Sequence, residues 1–172
     1  MKDREHLFAS LYNQYNKRIY NYIYKSIGSE DDAYDILQEV FIILNSKLEE
    51  LYFEENKIIY WLYRVARNLI LSHLKKRKKR GLKEYYYPGN WDFIAEREDL
   101  THRFELQEME DQLKRFLENL SEKERTIFIL HRVEKFKYRE IKEILNLSER
   151  TLKRVVRKIL EKIDALDLFK EN

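Results

Sequence analysis

Apolar side chains in the first eighty residues recur at the spacing of α-helices. The first series repeats every four residues and is widened by aromatic neighbours: Leu7, Leu11, Tyr15, Ile19, Ile23 and Ile27, with Phe8, Tyr12 and Tyr20 beside them. Gly28 tolerates the left-handed conformation that ends many helices, and Ser29 is a good N-cap for the helix that follows. The pattern therefore predicts a first helix that ends at about Ile27.

Two more helical patterns follow before residue 81. The second helix has an apolar face with spacings of three and four residues, formed by Ala33, Ile36, Leu37, Val40, Phe41 and Leu44. The third runs from about Lys57 to Arg80, with a predicted face of Ile58, Leu62, Val65, Ala66, Leu69 and Leu74. Such faces are buried when helices pack against one another.

The second half of the chain begins with a segment that has no helical period. Gly81, Pro88 and Gly89 all fall between Gly81 and Phe93, which favours a linker. A charged helix is then expected over roughly Ala95 to Leu120, and Ser121 with Glu124 forms a capping box that starts another.

The last part of the chain has the pattern of a helix-turn-helix. A short helix over 138–145 is followed by a turn at Asn146 and Leu147, with Ser148 as N-cap, and by a longer helix from Glu149 to about Leu166. No segment alternates as strands do. The prediction is an all-α chain with helical domains at 1–80 and 95–172, a flexible linker at 81–94, and the helix-turn-helix in the second domain.

Charge is segregated along the chain although the net charge is only +3. Residues 75–80 are all lysine or arginine, and 149–162 carry six cations against two acids. In contrast, 30–55 hold nine acids against Lys47 alone. This separation predicts a polyanionic partner for one part of the surface and a different partner for another.

Composition excludes several classes of function. The chain has no cysteine, which excludes disulfides, thiolate metal sites and cysteine nucleophiles, and which is typical of a reducing compartment. No apolar run approaches the roughly 18 residues of a membrane span, and residues 1–5 do not begin a signal peptide, so a cytoplasmic protein is expected. The four histidines lack HExxH spacing, and three glycines leave little room for a phosphate-binding loop. We expect no catalysis, metal, cofactor or small-molecule substrate.

Two segments predict contacts with DNA. In the helix-turn-helix, Arg150, Thr151, Lys153 and Arg154 would reach base edges, and Arg157 and Lys158 would reach phosphates. The third helix combines Trp61, Tyr63, Arg64, Arg67 and Asn68 with the basic run, and aromatics interleaved with cations can stack unpaired bases. The alternatives are a solvated basic helix face in a bundle and, for Trp61, a place in the core.

Four motifs in order resemble the extracytoplasmic-function sigma factors. Residues 32–41 (DAYDILQEVF) resemble the family's DAEDLxQEVF, and 61–69 (WLYRVARNL) resemble WLYRIARN. Residues 120–125 resemble LPEKxR, and 140–157 resemble EIAEILGISxGTVKSRLxR. The four segments span nearly the whole chain.

The resemblance implies three contact surfaces. Docking on the core RNA polymerase would involve Asp32, Asp35, Gln38, Glu39 and Phe41. Recognition of the minus-ten element, partly as a melted strand with a flipped base, would involve Tyr52, Phe53, Trp61, Arg64, Arg67, Asn68, Lys75 and Lys76. Duplex binding at the minus-thirty-five element would involve Ser148, Arg150, Thr151, Lys153, Arg154, Arg157 and Lys158. Many members of the family are also held by an anti-sigma protein.

The helix-turn-helix is where the chain departs most from the family pattern. Lys142 replaces a small residue and must turn its charge outward or change the angle between the two helices. Asn146 stands in place of the turn glycine, and Arg150 with Thr151 replaces the usual Gly-Thr. Three other classes of function remain as alternatives: a helix-turn-helix regulator without polymerase docking, an enzyme, and a purely structural bundle.

Overall fold

The structure, a computed structural model, describes residues 2–50, 57–82, 112–113 and 115–165. All regular elements in these ranges are helical, which confirms the all-α prediction. The chain divides into two compact units, Met1–Tyr86 and Tyr87–Asn172. In the described part of the chain, no helix is long and apolar enough to cross a membrane.

Unit 1 contains three helices: α1 (Lys2–Ile27), α2 (Glu30–Lys47) and α3 (Ile58–Lys79). Gly28 follows α1 with a φ of +67°, in the left-handed region where a side chain would cause strain. Ser29 caps α2 by accepting a hydrogen bond from the amide of Asp32 at 3.3 Å. The predicted glycine stop and serine cap are both confirmed.

The core of unit 1 lies where the three helices meet. Its centre is an aromatic contact between the fully buried Tyr22 of α1 and Tyr63 of α3, whose ring centroids are 4.9 Å apart. Arg18 donates from Nε to the Tyr63 hydroxyl at 3.1 Å, which satisfies the polar end of this buried ring. Tyr63 is therefore a core residue, and the suggestion that it stacks on bases is wrong.

The predicted stripe of α1 is only partly correct. Ile19 and Ile23 are fully buried, but Leu7 is 50% exposed and Tyr22 is buried although it is absent from the stripe. A repeat of four residues drifts by about 40° per step around a helix of 3.6 residues per turn, so Leu7 and Ile23 lie on different faces. A similar shift in α3 places Ile59, Tyr63 and Ile70 in the core, whereas Val65, Leu69 and Leu74 are half-buried.

Unit 2 contains α4 (Glu122–Phe128), which continues into a π-helical turn at Ile129–Val133, then α5 (Tyr138–Leu145) and α6 (Glu149–Ala165). The capping box at the start of α4 is confirmed, because Ser121 and Glu124 accept from each other's amides at 3.4 and 2.9 Å. Asn146 ends α5 with a φ of +51°, and Ser148 accepts from the Thr151 amide at 3.2 Å to begin α6.

An ion pair joins the end of α6 to the start of α4. Lys162 Nζ lies 2.8 Å from Glu124 Oε2 and also donates to the Asn119 carbonyl at 3.3 Å. The Glu124 side chain is only 10% exposed. Beneath this pair, the core of unit 2 is formed mainly by Phe116, Leu117, Ile127, Leu130, Ile141, Ile144, Leu152 and Ile159. The helix predicted over 95–120 is described only for residues 112–113 and 115–118, and most of the predicted linker lies outside the described residues.

Candidate functional site

The outer surface of α2 combines acidic and polar side chains with one large apolar side chain. Asp35, Gln38 and Glu39 are all exposed, and Ile42 is 67% exposed. At 100° per residue, Ile42 lies within about 60° of each of the other three around the helix axis, on the side opposite the buried residues. We call these four residues the acidic face. An apolar side chain inside a polar ring is typical of the centre of a protein-binding surface.

Sequence reasoning missed Ile42. The signal was present, because Ile42 lies off the apolar stripe of Ala33, Leu37 and Leu44, but an isolated exposed isoleucine on a helix has no specific meaning in a sequence. Its importance depends on the neighbours that the fold leaves exposed beside it.

Phe41 does not belong to this surface. Its side chain is 3% exposed, and its ring packs edge-on against Tyr12 at 4.7 Å and against Phe8 at 6.3 Å. The expectation that Phe41 contacts the polymerase directly is therefore wrong. The residue lies on the core side of α2, one helical position away from the exposed Ile42.

Asp32 also lies apart from the acidic face. Its carboxylate accepts a hydrogen bond from Arg77 Nη1 at 3.2 Å, and the same oxygen lies 3.5 Å from His73 Nε2. The Asp32 side chain is 31% exposed. Burial lowers the pKa of His73, the neighbouring Arg77, Lys76 and Arg80 lower it further, and Asp32 opposes them. The lowered pKa favours the neutral imidazole, and Arg77 is the cation that donates a hydrogen bond to Asp32.

A second surface lies on α3, on the side away from the core. Arg64, Asn68, Lys75 and Lys79 are exposed and Trp61 is half-buried, all within about 60° around the helix axis. We call these five residues the α3 outer face. The exposed Lys76 and the half-buried Arg67 flank it on opposite sides. Tyr52 and Phe53, predicted to line a pocket for a flipped base, lie outside the described residues.

The third surface is the N-terminal half of α6. Arg150, Lys153, Arg154, Arg157 and Lys158 are all exposed, so the helix presents five cations to solvent. The hydroxyls of Ser148 and Thr151 lie 2.9 Å apart and hold the first turn of the helix. The exposed cations are therefore the groups best placed to reach a ligand directly.

The departure at Lys142 does not disturb this arrangement. Lys142 is exposed, whereas Ile141 and Ile144 are the residues of α5 that pack inward. Its charge therefore turns outward, the first of the two outcomes expected for a long side chain at this position. In the described residues, no group of three or more metal-ligating side chains could hold a metal ion.

Comparison with known proteins places both units in one family. Residues 11–80 match the family model of Sigma-70 region 2, and residues 110–163 match that of Sigma-70 region 4. The chain is 28% identical to the ECF RNA polymerase sigma factor SigW of Bacillus subtilis over 88% of this chain and 84% of SigW. It is 24% identical to SigM of the same organism over 91% of this chain and 92% of SigM.

The fold is also that of a solved structure. The chain resembles the sigma factor RpoE, crystallised in complex with the anti-sigma factor NepR from Bartonella quintana, with a TM-score of 0.69 and 19% sequence identity. The match covers 99% of this chain and 100% of that one.

Proposed function

Because the chain belongs to the sigma-70 family, as an extracytoplasmic-function sigma factor that binds core RNA polymerase and directs it to promoters, we propose that its three exposed surfaces divide this work. The acidic face binds the polymerase, the α3 outer face contacts the minus-ten element, and α6 contacts the minus-thirty-five element. The proposed activity is binding without catalysis. Its place of action is the cytoplasm.

The segregation of charge in unit 1 carries this proposal. The acidic face would be repelled by a nucleic acid, so it suits a protein surface that has basic groups around an apolar depression. Ile42 supplies the apolar contact at its centre, and the surrounding carboxylates favour the correct orientation of the partner.

The α3 outer face has the composition that melted promoter DNA requires. Lys75 and Lys79 carry the charge that binds phosphates, while Asn68 and Trp61 offer hydrogen bonding and stacking to exposed bases. Arg64 lies between Trp61 and Asn68 along the helix, where a guanidinium can bind either phosphate or base. The exposed cations of α6 suit a duplex, whose major groove accepts a helix at its N-terminal end.

The family resemblance also bears on regulation. The structural neighbour RpoE was crystallised with an anti-sigma factor. We infer that this chain also binds an anti-sigma protein, and the acidic face is the surface that such a protein would need to cover to block polymerase binding.

In vitro transcription tests the proposal directly. The full chain is added to bacterial core RNA polymerase on a library of promoter fragments, and the transcripts are sequenced. We expect transcription to depend on the chain and to select a common pair of upstream elements. A helix-turn-helix regulator without polymerase docking would bind duplex DNA but would neither co-purify with core polymerase nor start transcripts, and that result would overturn the proposal.

A further inference from the structure

Asp32 occupies a position between the two proposed surfaces of unit 1. It is the third residue of α2, where its amide is bound by the capping Ser29. Its carboxylate reaches across to α3, where it binds Arg77 and lies beside His73. One side chain therefore contacts two successive turns near the end of α3.

The inward side of α3 changes from apolar to polar at this point. Ala66 and Ile70 are buried in the core of unit 1. His73 and Arg77 continue the same stripe at spacings of three and four residues, and their side chains are only 22% and 25% exposed. In the last two turns of α3, a contact with Asp32 thus takes the place that core packing has earlier in the helix.

The α3 outer face lies opposite this stripe. Helix ends fray unless they are held, and the lysines and arginines of residues 75–80 repel one another at close range. Fixing Arg77 on the inner side holds the last turns of α3 in helical form against α2. Helical spacing then keeps Lys75 and Lys79 on the same side of the helix as Asn68.

We propose that Asp32 is a positioning residue for DNA binding by the α3 outer face and that it does not contact the polymerase. The inference rests on the proposed function of that face. Asp32 and Asp35 lie in the same motif but have different roles under this proposal, because Asp35 belongs to the acidic face and Asp32 does not. Asp32 acts through Arg77 and touches no DNA itself.

A double-mutant cycle on the full chain tests this role. The variants are Asp32→Asn, Arg77→Met and the two combined, with Asp35→Asn as the docking reference and Asn68→Ala as the DNA reference. One readout is the dissociation constant for core polymerase, measured by fluorescence anisotropy. The other is the rate of promoter opening, followed with 2-aminopurine in a minus-ten element selected from the library.

We expect Asp32→Asn to slow opening about fivefold, which corresponds to about 1 kcal/mol. Its affinity for polymerase should stay within about twofold of the wild type, a range of about 0.4 kcal/mol. The double variant should open no more slowly than the slower single variant, because both changes remove one interaction. Asp32→Glu keeps the charge and should restore most of the rate.

Two results would overturn the role of Asp32. A loss of polymerase affinity equal to that of Asp35→Asn would make Asp32 a docking residue. If the double variant slows promoter opening by the product of the two single-variant factors, Asp32 and Arg77 act separately. The proposed function itself fails if Asp35→Asn leaves polymerase affinity unchanged and Asn68→Ala leaves opening unchanged, so the two failures are distinguishable.

Discussion

Neutralising Glu124 should destabilise unit 2 by a pH-dependent amount. Burial raises the pKa of this carboxyl, but hydrogen bonds from Lys162 and from the amide and hydroxyl of Ser121 outweigh burial and lower the pKa from 4.5 to about 2. The pKa difference of about 2.5, at about 1.36 kcal/mol for each step of one in pKa, gives an upper value of about 3.4 kcal/mol for the contribution of ionised Glu124 to the free energy of unfolding. Because the folded pKa is the lower one, this stability is fully present above pH 4.5 and is lost as the pH falls towards 2.

The assay compares the wild type with Glu124→Gln by urea unfolding of the full chain between pH 2 and pH 7. Hydrogen exchange of peptides from α4 and α6 reports on unit 2, and peptides from unit 1 serve as an internal reference. We expect Glu124→Gln to lower the free energy of unfolding by about 2–3 kcal/mol at pH 7, and we expect this difference largely to disappear near pH 2. Glu118→Gln, at an exposed carboxylate of the same unit, should change the free energy of unfolding by less than about 0.5 kcal/mol.

Lys162 provides an independent check on this reasoning. Lys162→Met leaves Glu124 charged and largely buried, so it should be about as costly as Glu124→Gln, and the two losses should add to more than that of the double variant. If the free energies of unfolding of the wild type and Glu124→Gln differ by the same amount from pH 2 to pH 7, the stabilisation does not come from the charge of Glu124. A loss below about 0.5 kcal/mol at pH 7 would refute the assigned magnitude.

Three further predictions address the proposed surfaces. Ile42→Asp should weaken core polymerase binding at least about tenfold, because it removes the central apolar contact of the acidic face. Leu7→Ala, at another exposed apolar residue of unit 1, should not weaken it, and equal losses of polymerase binding in a pull-down would refute the role of the acidic face. Asn68→Ala should slow promoter opening more than it weakens duplex binding, and parallel losses in the two assays would exclude a role with unstacked bases. Replacing Lys153 and Arg154 with alanine should weaken binding of the minus-thirty-five element, because it removes two side chains expected to reach base edges, while core polymerase binding is retained. A loss of polymerase binding instead would contradict the division of the work between two surfaces.

Local signals in the sequence predicted the helix ends well. Ser29, Ser121 and Ser148 cap the helices that they were expected to cap, and Gly28 and Asn146 adopt the left-handed conformation that ends a helix. Each of these features depends on backbone geometry within about four residues, which is the range that a sequence motif covers.

The chain by itself thus determined the all-α class, the order of the helices, their caps and the segregation of charge, since all of these follow from the order of residues and local backbone chemistry. The sequence also predicted the buried side of α2, because all six residues of its predicted apolar face are buried. In α1 and α3, the tertiary structure decided which side is exposed: it buried Tyr22 and Tyr63, and it turned Asp32 of α2 towards Arg77. Residues at the edge of an apolar stripe lie close to the boundary between core and solvent, so a rotation of a few tens of degrees in packing changes their exposure, and only contacts between distant segments set that rotation.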